Sequence, residues 1–239
     1  MTPRVTRVEL QDGGLGTLVA LPFAGGTQHA YHALAVELPG WRVVSGAATG
    51  EPAGLAALAD AWWDAVGDDL TPGAVLYGHS LGACVGAGLL VRHAPGGVAA
   101  VLSGFPVDPR HTLPAGASDD ELLAWARRHG ATPEVSDEAL ARFVLPRLRR
   151  DLAHVDGRWR DWLAAVDATL VTGDGDPLCP PRALRAASRA DVPLHVVPGG
   201  DHTLPTSRPG RVAALVRAAR TIPTPAAATA PASSREDAP

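Results

Sequence analysis

The chain has no lysine: all 21 of its basic residues are arginine, set among abundant Ala, Gly and Pro. That bias follows from a GC-rich coding sequence and carries no functional signal. Cysteine is also scarce. Cys84 and Cys179 cannot build a disulfide framework and lack partners at zinc-ligand spacing. Cys84, inside an expected helix, reads as a small buried thiol, and Cys179 as a loop cysteine close to a candidate acid. No stretch is long and apolar enough to span a bilayer, and Met1 to Asp12 carries charges without the apolar run of a signal peptide, so the expectation is a cytoplasmic protein with no membrane association. A net charge of -4 supplies no electrostatic footprint for nucleic acid.

What the chain has is ordinary for a globular protein. Its 239 residues, 46% hydrophobic and 19% charged, are enough for one large α/β domain with a sizeable core. Short β-branched or apolar runs predict strands over 17–21, 42–45, 74–77, 98–103, 168–172 and 194–197, with an edge strand over 5–10 before them. Helical patterns fall between them over 27–38, 52–70, 81–93, 180–189 and 208–220. Such alternation predicts a mainly parallel sheet covered on both faces. The pattern breaks between Phe105 and Asp167, where 119–128 and 136–150 read as helices without a convincing strand. A helical insertion over the strand ends, acting as a lid, is the expectation. A single domain therefore covers 1–220, and 221–239, rich in Ala, Pro, Thr and Ser, is expected to be disordered.

The string Gly78-His79-Ser80-Leu81-Gly82 follows the apolar run 74–77 and opens the helix 81–93. With 26 glycines present, chance yields such a string about 0.1 times in a chain of this length, so its setting matters. Strand, sharp turn and helix are the setting in which a serine becomes an exposed nucleophile. Flanking glycines let strand and helix pass close together, and the helix N-terminus places N–H groups where an oxyanion would form. Ser80 is accordingly the candidate nucleophile of a serine hydrolase with the α/β-hydrolase fold.

Serine needs a base, and the chain offers nine histidines. His202 directly follows the last expected strand, placing it at the same sheet edge as Ser80. His195 sits within that strand and is expected to pack; His93 and His129 end helices; the His79 side chain is expected to point away from the nucleophile. For the acid, Asp176 follows the strand 168–172, in the order Ser, acid, His that this fold uses. Asp174 suits the turn itself, and Asp108, after the strand 98–103, is the alternative acid. One oxyanion donor would be the Leu81 N–H. The other would come from the turn after 17–21, at Phe23 or Ala24.

Several strings extend this reading. Leu21-Pro22-Phe23-Ala24-Gly25-Gly26 is similar to the Phe-Pro-His-Ala-Gly-Gly segment of the type II thioesterases of polyketide and nonribosomal peptide biosynthesis. Leu38-Pro39-Gly40 resembles their Leu-Pro-Gly-Arg, and Gly78 to Ala83 their Gly-His-Ser-Met-Gly-Ala. Within the insertion, Gly130-Ala131-Thr132-Pro133 and Leu145 to Leu152 resemble their Gly-Gly-Thr-Pro and Leu-Pro-x-Leu-Arg-Ala-Asp-Phe strings. The likeness runs from about 16 to 220. Phe23 and Trp41 depart from it, standing where the family has histidine and arginine.

The resemblance implies hydrolysis of acyl groups from the phosphopantetheine thiol of an acyl or peptidyl carrier protein, for editing or release. Neither metal nor organic cofactor is required. Trp125, Phe143, Leu145 and Leu148 are candidate acyl-pocket residues, with packing inside the insertion as the equal alternative. Acyl transfer by the same triad, a small-molecule carboxylesterase and a binding protein with a vestigial site are the competing readings.

Overall fold

The computed structural model describes residues 2–108, 116–129 and 136–220. The Gly130 to Pro133 string and the 221–239 tail lie outside the described residues. Seven strands form one sheet: β1 Arg4–Gln11, β2 Thr17–Leu21, β3 Arg42–Thr49, β4 Val75–His79, β5 Ala99–Ser103, β6 Thr169–Gly173 and β7 Leu194–Val197. Their spatial order is β1-β3-β2-β4-β5-β6-β7. Every neighbouring pair is parallel except β1 against β3.

Alternation along the central strands explains why helices must cover both faces. In β2, Val19 and Leu21 enter one apolar cluster while Leu18 and Ala20 enter the other; in β4, Leu76 divides from Val75 and Tyr77 in the same way. Both faces are dry, as a parallel sheet requires. The first cluster is closed by Leu55, Leu58 and Trp62 of α2 (Gly54–Val66), by α3 (Leu81–His93) and by Trp159, Trp162 and Leu163. Leu34 of α1 (His32–Val36) and the last helix, Pro209–Arg220, close the second, where Trp41 is also buried.

Between β5 and β6 the described chain is helical. α4 (Asp119–Arg128) begins with a reciprocal cap in which Ser118 Oγ accepts the Glu121 N–H at 3.2 Å and the Glu121 carboxylate accepts the Ser118 N–H at 2.7 Å. The helix expected over 136–150 is present with one irregularity. α5 (Asp137–Ala139) passes through a π-turn, Leu140–Val144, into α6 (Leu145–Leu152). Pro146 has no N–H to continue the i to i−4 ladder, and the backbone widens just before it. The remaining helices are α7 (Trp159–Ala165), α8 (Pro181–Ala187), the single turn α9 (Leu204–Ser207) and α10 (Pro209–Arg220). No helix of the described residues is long and apolar enough to cross a membrane.

Candidate active site

Ser80 joins β4 to α3 and has φ 55° and ψ −115°. A β-carbon-bearing residue is strained at positive φ, so the surrounding structure must impose this geometry. Gly82 shows how: a Cβ there would collide with the Leu21 carbonyl, and one at Gly78 with the Gly82 carbonyl. Only glycine lets α3 descend this close to the ends of β2 and β4. The turn leaves Ser80 partly exposed while its neighbours Gly78, His79, Leu81 and Gly82 are buried.

His202 lies on the loop after β7, and Asp176 on the loop after β6. Ser80 Oγ is 3.1 Å from His202 Nε2. The other ring nitrogen, Nδ1, is 2.9 Å from Asp176 Oδ2 and 3.1 Å from Oδ1. A carboxylate only accepts, so Nδ1 carries the proton and Nε2 is left as the acceptor for the serine hydroxyl. Asp176 is itself fixed: its Oδ1 accepts the Leu178 N–H at 2.9 Å and the Cys179 N–H at 3.0 Å. Burial opposes its ionisation, but hydrogen bonding to His202 and attraction to it outweigh burial and hold the carboxyl below the ordinary aspartate range. The arrangement can take a proton from Ser80 and stabilise the imidazolium that results.

The other candidates fall elsewhere. Asp174 is exposed in the turn. Asp108 is buried, and its N–H donates to the Leu178 carbonyl at 3.2 Å, beside the Asp176 loop. The carboxylate against His202 is that of Asp176. His195, expected to pack, is exposed instead, because β7 is the edge of the sheet. His93 stacks on Trp63 at 4.6 Å and meets Asp60 at 2.9 Å. Both cysteines are buried, which pushes their thiols far up. Among the described residues, no three His, Cys, Asp or Glu side chains converge as metal ligands.

His79 has a structural position that its sequence did not reveal. Its Nε2 lies 2.7 Å from the His202 backbone carbonyl and its Nδ1 lies 2.8 Å from Ser103 Oγ, which is also 2.8 Å from the Tyr77 hydroxyl. The carbonyl can only accept, so Nε2–H donates to it, and Nδ1 accepts from Ser103. This buried chain tethers the loop that carries His202 to β4 and β5. Burial first, and then repulsion by His202, push the His79 pKa down to about 3. The unfolded chain therefore binds a proton near pH 6.5 that the folded chain refuses until about 3, so stability falls as pH drops through that window. We expect His79 to contribute a loss on the order of 1 kcal/mol per pH unit below 6.5, so the fall in urea midpoint between pH 7 and pH 5 should be smaller in His79→Gln, with His154, also depressed by burial, supplying part of what remains.

As the first residue of α3, Leu81 has an N–H with no i−4 carbonyl within the helix. Facing it is the turn Phe23 to Gly26, closed by the Gly26 N–H donating to the Phe23 carbonyl at 2.9 Å. Beside both lies a cleft of about 20 Å³ lined by Pro22, Phe23, Leu58, Trp62, Leu81 and Asp151, among others. The four expected pocket residues are not in its wall. Leu145 and Leu148 pack with Leu122 and Ala126, Trp125 borders that cluster, and Phe143 is 64% exposed. The π-turn rotates Phe143 outward, where Arg142 stacks on it at 5.2 Å. Trp62 of α2 lines the cleft, a contact between segments too distant in sequence for periodicity to disclose.

A parallel sheet in this order, carrying a serine elbow after its central strand and acid and histidine loops after the next strands, is the architecture of the α/β hydrolases. The chain belongs to the alpha/beta hydrolase family, which matches it over residues 14–215. Among curated protein sequences none matches it. Solved structures of similar fold include the type II thioesterase BorB from the borrelidin biosynthetic cluster, with TM-score 0.68 and 22% identity over 90% of this chain and 97% of that one. The RedJ thioesterase from the prodiginine pathway of Streptomyces coelicolor gives TM-score 0.63 and 23% identity over 86% and 89%. The N-acyl homoserine lactonase AidH gives TM-score 0.70 and 16% identity over 91% and 93%. At these identities the likeness establishes the fold.

Proposed function

We propose that this α/β hydrolase is a thioesterase that releases acyl groups from the phosphopantetheine thiol of a carrier protein. The observation that carries the chemistry is the hydrogen-bonded series Ser80, His202 and Asp176 at 3.1 and 2.9 Å. Support for the substrate comes from the thioesterase-like strings at 21–26, 78–83 and 145–152, and from BorB and RedJ among the structures of similar fold.

In this reading Ser80 Oγ attacks the thioester carbonyl while His202 Nε2 takes its proton. The Leu81 N–H and one from Phe23 or Ala24 hold the oxyanion; the carbon–sulfur bond breaks, and the thiol leaves with the proton from His202. Water then gives a proton to the same nitrogen, attacks the acyl-serine, and frees the carboxylic acid and Ser80. The cleft beside the Phe23 to Gly26 turn accommodates little more than one water, and in this reading part of the helical segment between β5 and β6 shifts to admit the acyl chain while α6 stays in place.

A panel of carrier proteins loaded with acyl groups of different length tests this reading. Free acid and unloaded carrier should appear, with kcat/KM at least about tenfold above that for the matching oxygen esters. Equal rates on oxygen esters would make the protein a carboxylesterase. An acyl group recovered on a second carrier would make it a transferase.

A further inference from the structure

The turn at 23–26, proposed above to supply the second oxyanion donor, is held from outside itself. Gly25 has φ 77°, Ala24 is not among the residues with positive φ, and the Gly26 N–H closes the turn on Phe23. Those features define a type II turn, which differs from type I by a flip of its central peptide, here the one joining Ala24 to Gly25. The Gly25 N–H in that peptide donates to Asp151 Oδ2 at 2.9 Å, across 126 residues of sequence. Asp151 is 6% exposed, lines the cleft beside Leu81 and Gly82, and lies in the last turn of α6. Its other oxygen, Oδ1, accepts from Arg150 Nη2 at 2.8 Å and Nε at 3.2 Å. Leu148, one turn earlier on α6, lies directly against Gly25.

From this geometry we propose that Asp151 is a positioning residue that selects the oxyanion-competent form of the 23–26 turn, so the helical insertion helps to assemble the site as well as cover it. Flipping the Ala24–Gly25 peptide would remove the N–H from Asp151 and present a carbonyl oxygen to its carboxylate. The flipped form is thus disfavoured for as long as α6 is seated. Fixing the Ala24–Gly25 peptide would in turn hold the adjoining Phe23–Ala24 peptide, whose N–H is one of the two proposed donors beside Leu81. This inference rests on the oxyanion role of that turn and is independent of the thioester substrate.

The test uses a dialkyl fluorophosphate, whose phosphoryl oxygen occupies an oxyanion hole whatever the natural substrate is. Ser80 Oγ bonds to phosphorus, the phosphorus–fluorine bond breaks, fluoride leaves, and the serine proton passes to His202 Nε2. Labelling of the full chain is followed by intact mass, with urea midpoints recorded for each variant. Asp151→Ala should label about 10- to 100-fold more slowly than the unsubstituted protein. Asp151→Asn should also be slow, because its one carbonyl oxygen is drawn to Arg150. Adding Arg150→Met frees that oxygen for Gly25 and should bring the rate to within about threefold of the original, a recovery that a merely structural role would not produce. Should Asp151→Ala fail to fold, the comparison of Asp151→Asn with the double variant decides.

The proposal is overturned if Asp151→Ala labels at the original rate, if the double variant is no faster than Asp151→Asn, or if the unsubstituted protein does not label. A protein that labels rapidly yet hydrolyses no carrier thioester would refute the proposed substrate and leave the role of Asp151 standing.

Discussion

Replacing Ser80 with alanine is expected to lower kcat by at least about 10⁴-fold, with folding and carrier binding retained. Alanine keeps the β-carbon, so the strained backbone at φ 55° is neither relieved nor worsened. Oγ is removed, and with it the hydroxyl that lies against His202 Nε2 for covalent attack. The residual rate would come from a water activated by His202 attacking the carbonyl directly, with the oxyanion donors holding its developing negative oxygen. Steady-state rates with a loaded carrier, set beside the variant's urea midpoint and its affinity for the carrier, separate lost chemistry from lost structure.

Asp176→Asn should be almost as severe, with kcat about 10⁴-fold lower and little change in stability. The reason lies in what surrounds the carboxylate. Oδ1 accepts two backbone N–H groups, from Leu178 and Cys179, so the single carbonyl oxygen of asparagine must stay on that side. Its NH2 group then takes the place of Oδ2 and faces His202 Nδ1. Nδ1 becomes an acceptor, the ring proton moves to Nε2, and the histidine can no longer take the proton of Ser80. A variant with normal kcat would mean that another group sets the tautomer, and Asp108, buried near the same loop, would be the first to substitute.

The elements that position this chemistry were largely readable from local pattern. β2, β7, α3 and α4 have the bounds that their patterns predict, because each combines an apolar run with a sharp glycine, proline or polar boundary. β3 runs on to Thr49 beyond the expected end at 45, since Ala47 to Thr49 are held by pairing with β1 and carry no β-branched apolar signal of their own. Ser80, Asp176 and His202 were legible because each follows a recognisable strand. The supporting residues were not. His79 meets the His202 carbonyl across 123 residues, and Asp151 meets Gly25 across 126, so neither contact has a local signature. Likewise, the exposure of His195 depends on β7 being the last strand of the sheet, and that of Phe143 on a π-turn placed by Pro146.

In the proposed reaction Ser80 captures an acyl group from a carrier-bound thioester and passes it to water. Rapid mixing of the protein with an acyl-loaded carrier, followed by intact-mass and peptide-level analysis within the first turnover, measures this directly. A transient adduct of the acyl mass should form on the peptide containing Ser80, rise as the carrier loses that mass, and decay to free acid. Deacylation of the carrier at the same rate by Ser80→Ala would contradict it.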